Sequence, residues 1–263
     1  MKPMQTIIHG DARELSPDIN FDVMLTDPPY RRKVHRNAVS MSSRGVKTRN
    51  LGFDHLSAEL RRYTARLAAR AKRWSCIYSD VESLAWWRIS LQAAGAQYIR
   101  TVPWIRWSMP QLSGDRPPTG FEPITIAYGS QGGRKSWNGP GNLTHFAHTA
   151  LRGEGKHKTE KPLDQMLDLV AWFSQEGETV LDPYAGRGTT ALACKILGRS
   201  FIGYEIDAEE CDKANERLFA PGLSERDLER FLRWVGSVPV QEKEKARMQG
   251  RTSSVRAKME AAK

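Results

Sequence analysis

"FDVMLTDPPY", Phe21 to Tyr30, is the stretch on which the fold turns. Val23, Met24 and Leu25 make a short apolar run of the kind that fills a buried strand. Two consecutive prolines follow Asp27. Neither has an N–H to give to a sheet ladder, so the strand must end near Asp27. In an open α/β sheet, ligands bind beyond the carboxyl ends of the parallel strands. The run therefore sets a carboxylate, a stiff carbonyl-bearing turn and an aromatic ring at such an edge. Taken alone, it is equally readable as a strand followed by a plain Pro-Pro turn.

A second stretch extends the reading. In "VLDPYAGRGTT", Val180 to Thr190, an apolar strand leads to Asp182, a Pro-Tyr step, and Gly186-x-Gly188 at the opening of a helix. Glycines allow positive φ and close approach of a ligand to the backbone. The helix N-terminus offers unsatisfied N–H groups to an anion. The next strand ends in "GYEID", which places Glu205 roughly 20 residues downstream, where an acidic residue usually holds the two hydroxyls of a ribose. These residues favour a ligand with an adenosine ribose and an anionic group. Ala191 stands where a third glycine would complete G-x-G-x-x-G, so a dinucleotide remains open at this point.

The rest of the chain agrees with an α/β protein. Strand patterns occur at Gln5 to His9, "WSCIYSD", "YIRTVPWIRW", "FEPITIAYG", "TVLDPY" and "SFIGYEID", with helical spacing between most of them. Leu163 to Phe173 reads as a helix, and "SERDLERFLRWVG" as an amphipathic one with Ser224 as N-cap. Alternation of this kind predicts a doubly wound sheet. Residues 1–220 read as one domain and 221–263 as a helical, basic extension. Two irregular stretches stand out, 31–52 and 130–158, and the first carries seven basic residues through Arg49 with no acid.

The 263 residues carry a formal net charge of +10, for which nucleic acid is the simplest partner. No apolar run approaches the roughly 20 residues needed to span a bilayer, and the N-terminus has no signal-peptide core. The expected location is cytoplasmic, in association with DNA. Cys76, Cys194 and Cys211 are scattered, which indicates neither a disulfide framework nor a structural zinc site, and no metal is expected.

"DPPY" together with "DPYAGRGTT" resembles the amino-group DNA methyltransferases, which modify N6 of adenine or N4 of cytosine. The catalytic motif precedes the cofactor motif, an order similar to the β-class, and "HKTEKPLDQM", His157 to Met166, resembles that class's Lys-Pro segment. The resemblance implies a Rossmann-like methyltransferase fold with a mostly parallel, seven-stranded sheet. It also implies S-adenosylmethionine as cofactor and double-stranded DNA as partner, with a flipped-out target base. Asp27, Pro28, Pro29 and Tyr30 would be catalytic: the Asp27 carboxylate and Pro28 carbonyl accept the two amine protons, and Tyr30 stacks on the base. Asp11 would contact the cofactor's adenine and Glu205 its ribose, while Asp182, Gly186, Gly188, Thr189 and Lys161 surround its methionine part, with Tyr184 also at the cofactor.

Several of these residues have plainer readings. Asp11 could cap a turn, Glu205 could pair with an arginine, Lys161 could be solvated before Pro162, and Thr189 could cap its helix. Trp104, Trp107 and Trp137 could stack on DNA, though packing in the core or at its rim is the plainer assignment. Asp in the first motif position points to adenine, since the family's cytosine-N4 enzymes usually carry Ser there. RNA as substrate, a non-catalytic binding protein of the same fold, and a homodimer stay open. Neutralising Arg31, Arg32, Lys33 and Arg36 is expected to weaken DNA binding and flatten its salt dependence by about 0.9 log units per log unit of salt for each lost contact. Titrations over a salt series check this, and an unchanged slope would place these charges off the DNA path.

Overall fold

The structure is a computed structural model that describes residues 3–30, 56–107, 120–130, 135–139, 145–149 and 160–237. The basic stretch at 31–49 therefore lies outside the described residues. One sheet organises the rest. Its strands are β1 (Gln5–His9), β2 (Val23–Thr26), β3 (Trp74–Tyr78), β4 (Gln97–Trp107), β5 (Phe121–Tyr128), β6 (Phe146–Thr149), β7 (Thr179–Asp182) and β8 (Ser200–Glu205), in the spatial order β1-β8-β7-β2-β3-β5-β4-β6. β5 runs antiparallel to β3 and β4, and every other pairing is parallel.

The sheet has eight strands, where the sequence predicts seven. The additional strand, β6, is the four-residue "FAHT" within the stretch read as a loop at 130–158. Its own run is too short to stand out amid Gly, Asn and Pro. It forms because β4 is long enough to offer a second edge beyond β5, and Trp104 to Trp107 pair with Phe146 to Thr149.

Helices cover both faces. Against one face lie α1 (Ala58–Arg70) and α2 (Leu84–Ala93), whose Leu67, Trp87 and Leu91 pack with Met24, Ile77 and Leu181 of the strands. Against the other lie α3 (Leu163–Phe173), α4 (Thr189–Leu197), α5 (Ala208–Phe219) and α6 (Glu225–Ser237), packed on Val23, Leu25, Cys76, Ile126 and Phe201. The alternating in-and-out pattern of the strands divides these two cores. Side-chain caps start the helices where the sequence changes character. Ser57 accepts from the N–H of Leu60 at 3.0 Å, Asp207 from that of Glu210 at 3.0 Å, and Ser224 from that of Asp227 at 3.1 Å. Among the described residues, no helix is long and apolar enough to cross a membrane.

α6, the first part of the C-terminal segment, is bound into the main core through Phe231 and Trp234. Glu160 accepts from Arg226 at 2.6 Å, Asp164 from Arg230 at 2.9 Å, and Asp168 from the Trp234 indole at 2.8 Å. In all three pairs the partners lie 66 residues apart, and each series advances by four. α6 thus runs beside α3 in the same direction, with one polar rung per helical turn. The middle rung is buried: Arg230 is 2% exposed and Asp164 3%.

Removing one partner of a buried pair strands the other charge in a poorly solvating environment. Arg230→Met is expected to destabilise the fold by about 3–5 kcal/mol, whereas Asp164→Leu/Arg230→Met recovers most of that loss. Urea unfolding of the three chains checks the order.

Candidate active site at the strand ends

The two motifs meet at the centre of the sheet. β2 and β7 are parallel neighbours in which Val23 pairs with Val180 and Met24 with Leu181, so Asp27 and Asp182 emerge together at their carboxyl ends. From β2 the chain moves to β3 on one side, and from β7 to β8 on the other. This reversal of direction opens a crevice between the strand ends. A hydrogen bond spans it: Thr26 Oγ1 donates to Asp182 Oδ1 at 2.8 Å. Asp182 also accepts from the Tyr184 N–H at 3.1 Å and from Thr190 Oγ1 at 2.9 Å. Its carboxylate is thus buried and held by three donors, bracing the turn. Burial pushes its pKa up to about 7, against the opposing effect of these three donors.

Beyond Asp182 the chain turns through Gly186 and Gly188, with φ of 50° and 71°. At Gly188 the left-handed φ disfavours any side chain, and a Cβ would also sit tightly, 3.0 Å from Ile7 Cδ1 and 3.2 Å from Ala214 Cβ, between β1 and α5. At Gly186 a Cβ would meet nothing within 4 Å, which leaves the backbone open to a ligand. The N–H of Gly186 donates to Glu205 Oε2 at 2.8 Å, and that of Asp207 to Glu205 Oε1 at 2.9 Å. A carboxylate has about four acceptor positions, so Glu205 keeps capacity for hydroxyl donors. Desolvation raises its pKa despite these N–H groups. The exposed Ile206 follows it.

The other residues read as cofactor contacts sit around this turn. Asp11 lies next to Glu205, because β1 pairs with β8 and the Gly10 N–H donates to the Glu205 carbonyl at 2.9 Å. Its carboxylate caps the following turn by accepting from the Arg13 N–H at 2.8 Å and pairs with the Arg13 guanidinium, which together hold its pKa low. The Tyr184 hydroxyl is 2.7 Å from Thr64 Oγ1. Thr189 Oγ1 accepts from Arg217 at 3.1 Å.

Lys161 stands on the Asp27 side of the crevice. Its ammonium pairs with Asp27 Oδ2 and lies 3.3 Å from Glu122 Oε2, with the rings of Tyr78, Tyr30 and Trp104 at 4.8, 5.8 and 5.9 Å. Desolvation works against its charge, but the two carboxylates outweigh this, and its pKa is raised. The Tyr30 hydroxyl donates to Glu122 Oε2 at 3.0 Å. Asp27 Oδ1 is buried with no donor among the described residues. Burial raises the Asp27 carboxyl and Glu122 adds to the rise, while Lys161 and, more weakly, the nearby Tyr30 hydroxyl pull the other way.

Trp104 is thus a wall of this pocket, buried to 5% exposure; Trp137 packs edge-on against Phe173 at the far end of α3, 40% exposed. Sequence reasoning missed Glu122 and Tyr78. Glu122 had a signal, a lone charge at the head of the apolar strand "FEPITIAY". Tyr78 had none, since it ends a strand with the look of ordinary core. Among the described residues no cluster of His, Cys, Asp and Glu could hold a metal ion, and the three cysteines are buried thiols.

The Asp182 carboxyl has a sharp thermodynamic signature. With a folded pKa of about 7 and an unfolded one near 3.9, it contributes stability that is fully present below pH ~4 and lost as pH rises to 7, on the order of 4 kcal/mol. Asp182→Asn keeps an oxygen for Thr26 and the Tyr184 N–H but does not titrate. The wild-type minus mutant difference in unfolding free energy is therefore expected to fall between pH 4.5 and 7.5; a flat difference would rule out the shift.

The chain is similar to known proteins. The N6/N4 DNA methylase family model matches residues 21–216. The type II methyltransferase M.HindIII of Haemophilus influenzae is 31% identical over 144 residues, covering 52% of this chain and 46% of that protein. M.HpaI of Haemophilus parainfluenzae is 38% identical over 81 residues, 30% and 26% of the two chains. The chain thus matches less than half the length of these curated relatives. The solved complex of M1.HpyAVI with SAM superposes with a TM-score of 0.61 at 25% identity, over 82% of this chain and 100% of that one. PvuII DNA methyltransferase, cytosine-N4-specific, shares the fold, with a TM-score of 0.59 at 12% identity over 90% and 96%. The matched segment runs from the strand that carries Asp27 through the glycine turn to α5, and the chain belongs to the N6/N4 DNA methylase family.

Proposed function

We propose that this protein transfers a methyl group from S-adenosylmethionine to the exocyclic N6 of adenine in double-stranded DNA, as the modifying partner of a restriction system. The observation that carries the reading is Asp27: one oxygen held by Lys161, the other buried, with no donor among the described residues, beside the Tyr30 ring. A buried acceptor without a donor costs about 1–3 kcal/mol, and an amine N–H entering the pocket removes that cost.

The cofactor fits the neighbouring crevice. The open approach at Gly186, the spare acceptor capacity of Glu205 and the exposed Ile206 beside it suit a ribose and a flat base. Gly186, Glu205 and Asp11 would hold the adenosine end, with Gly188, Tyr184, Thr189 and Asp182 shaping the turn beneath it. When bound, the cofactor supplies an electrophilic methyl on a sulfonium.

The remaining work falls to residues of this chain. An aromatic amine is a weak nucleophile because its lone pair is delocalised into the ring. Acceptors on both of its protons, Asp27 Oδ1 and the Pro28 carbonyl, draw the nitrogen toward tetrahedral geometry and free the lone pair. The prolines stiffen that carbonyl at little entropic cost. Asp27, raised above the usual carboxylate range, is suited to take the proton that the amine releases once the N–C bond has formed. Tyr30 stacks on the flipped base and offsets part of the few kcal/mol that flipping costs. Adenine is favoured because Asp27 occupies the first motif position.

Asp27→Ala is expected to keep cofactor affinity and to lose methyl transfer by on the order of 10²-fold or more. Mixed-sequence duplex DNA, methylated with labelled cofactor and digested to nucleosides, should carry its label as N6-methyladenine by mass. Near-normal turnover of the variant would overturn the acceptor role. Label on cytosine, or only on RNA, would overturn the choice of base or nucleic acid.

A further inference from the structure

The geometry points to Glu122 as a positioning residue for methyl transfer, an inference that rests on the reading above. Glu122 stands at the start of β5, the one antiparallel strand, so that the beginning of this strand lies at the edge where β2 and β3 end. Its position is fixed from both sides. The N–H of Ser79, just past β3, donates to the Pro123 carbonyl at 3.1 Å, and Trp104 of β4 pairs with Glu122 in the ladder. Glu122 comes from neither motif, yet it touches Tyr30 and the Lys161 that holds Asp27.

One oxygen, Glu122 Oε2, accepts from the Tyr30 hydroxyl at 3.0 Å and lies 3.3 Å from the Lys161 ammonium. Lys161 in turn holds Asp27 Oδ2. The carboxylate therefore orients the ring that stacks on the base, and through Lys161 it sets the rotation of Asp27 that aims Oδ1 at the amine. Without it, the long Lys161 side chain keeps a single carboxylate partner in this group, and Asp27 and Lys161 can swing as a pair. Tyr30 loses the acceptor that sets the height and tilt of its ring. Both consequences act on geometry at the reacting nitrogen, where a displacement of about 1 Å is worth roughly 10²-fold in rate. The side chain of Glu122 is only 15% exposed, and Lys161 12%, so water does not readily replace the lost contact.

The test uses the full chain with S-adenosylmethionine and mixed-sequence duplex DNA, with rates expressed per cofactor-binding site so that misfolded protein does not count. Glu122→Ala is expected to lower kcat by roughly 10²-fold while cofactor affinity and the KM for DNA stay within about twofold. Glu122→Gln keeps an oxygen at the same reach and should restore most of the rate. Because part of its effect runs through Asp27, Glu122→Ala should cost clearly less rate in an Asp27→Ala chain than in the wild-type chain, a non-additivity that a merely structural role does not produce. A Glu122→Ala chain that turns over within twofold of wild type, a Gln variant as slow as the Ala variant, or additive losses in the double variant would each overturn the inference while leaving the proposed function standing. Absence of transfer by the wild-type chain on any nucleic acid would overturn the proposed function, and this inference with it.

Discussion

The hydrogen bond from Thr26 to Asp182 joins residues 156 positions apart, and the site depends on it. It ties the ends of β2 and β7 at the point where the sheet reverses direction, so two short motifs become one crevice. Asp182 is an expensive choice for this joint. A carboxyl buried to 3% exposure and raised to about 7 disfavours its own ionised form, and three donors are needed to hold it. What the fold gains is direction: one carboxyl engages the strand before the Asp27 turn, the Tyr184 N–H within the Pro-Tyr step and the first turn of the next helix. Gly186 and its N–H toward Glu205 are placed from the same anchor.

A second set of charges works around Lys161. Asp27 and Glu122 flank its ammonium on the pocket side. The preceding residue, Glu160, is gripped by Arg217 at 2.8 Å and Arg226 at 2.6 Å. The segment that delivers Lys161 is thus held by α5 and α6 before it enters α3. The three rungs, one per turn, hold α6 along this segment and α3. The helix after the cofactor-side half of the fold is coupled in this way to the residue that holds Asp27.

Much of this was legible in the linear sequence. Period-two and apolar runs located seven of the eight strands, and the boundaries of β1 and α3 fell where the apolar pattern changed. The Pro-Pro and Gly-x-Gly turns marked the two strand ends that matter, because these residues restrict or free the backbone whatever surrounds them. The short β6 was not legible, since four residues among turn formers carry no periodicity until a long neighbour offers an edge. Asp182 and Lys161 were recognised as site residues but not for what they touch. A motif names a residue; the pairing of its side chain depends on strands remote in sequence.

The sequence by itself therefore determined the element types, the two turns, and the presence of Asp27, Tyr30, Gly186 and Glu205 at strand ends, because local backbone chemistry decides where a strand must stop. Only the tertiary structure decided that Asp182 is engaged by Thr26 and Thr190, that Lys161 stands against Asp27, and that Glu122 joins them. Those outcomes follow from the antiparallel entry of β5 and from burial, which forces each charge to find a partner within reach. Which partner lies within reach is a property of strand order, and strand order is set by how the two faces of the sheet bury their helices.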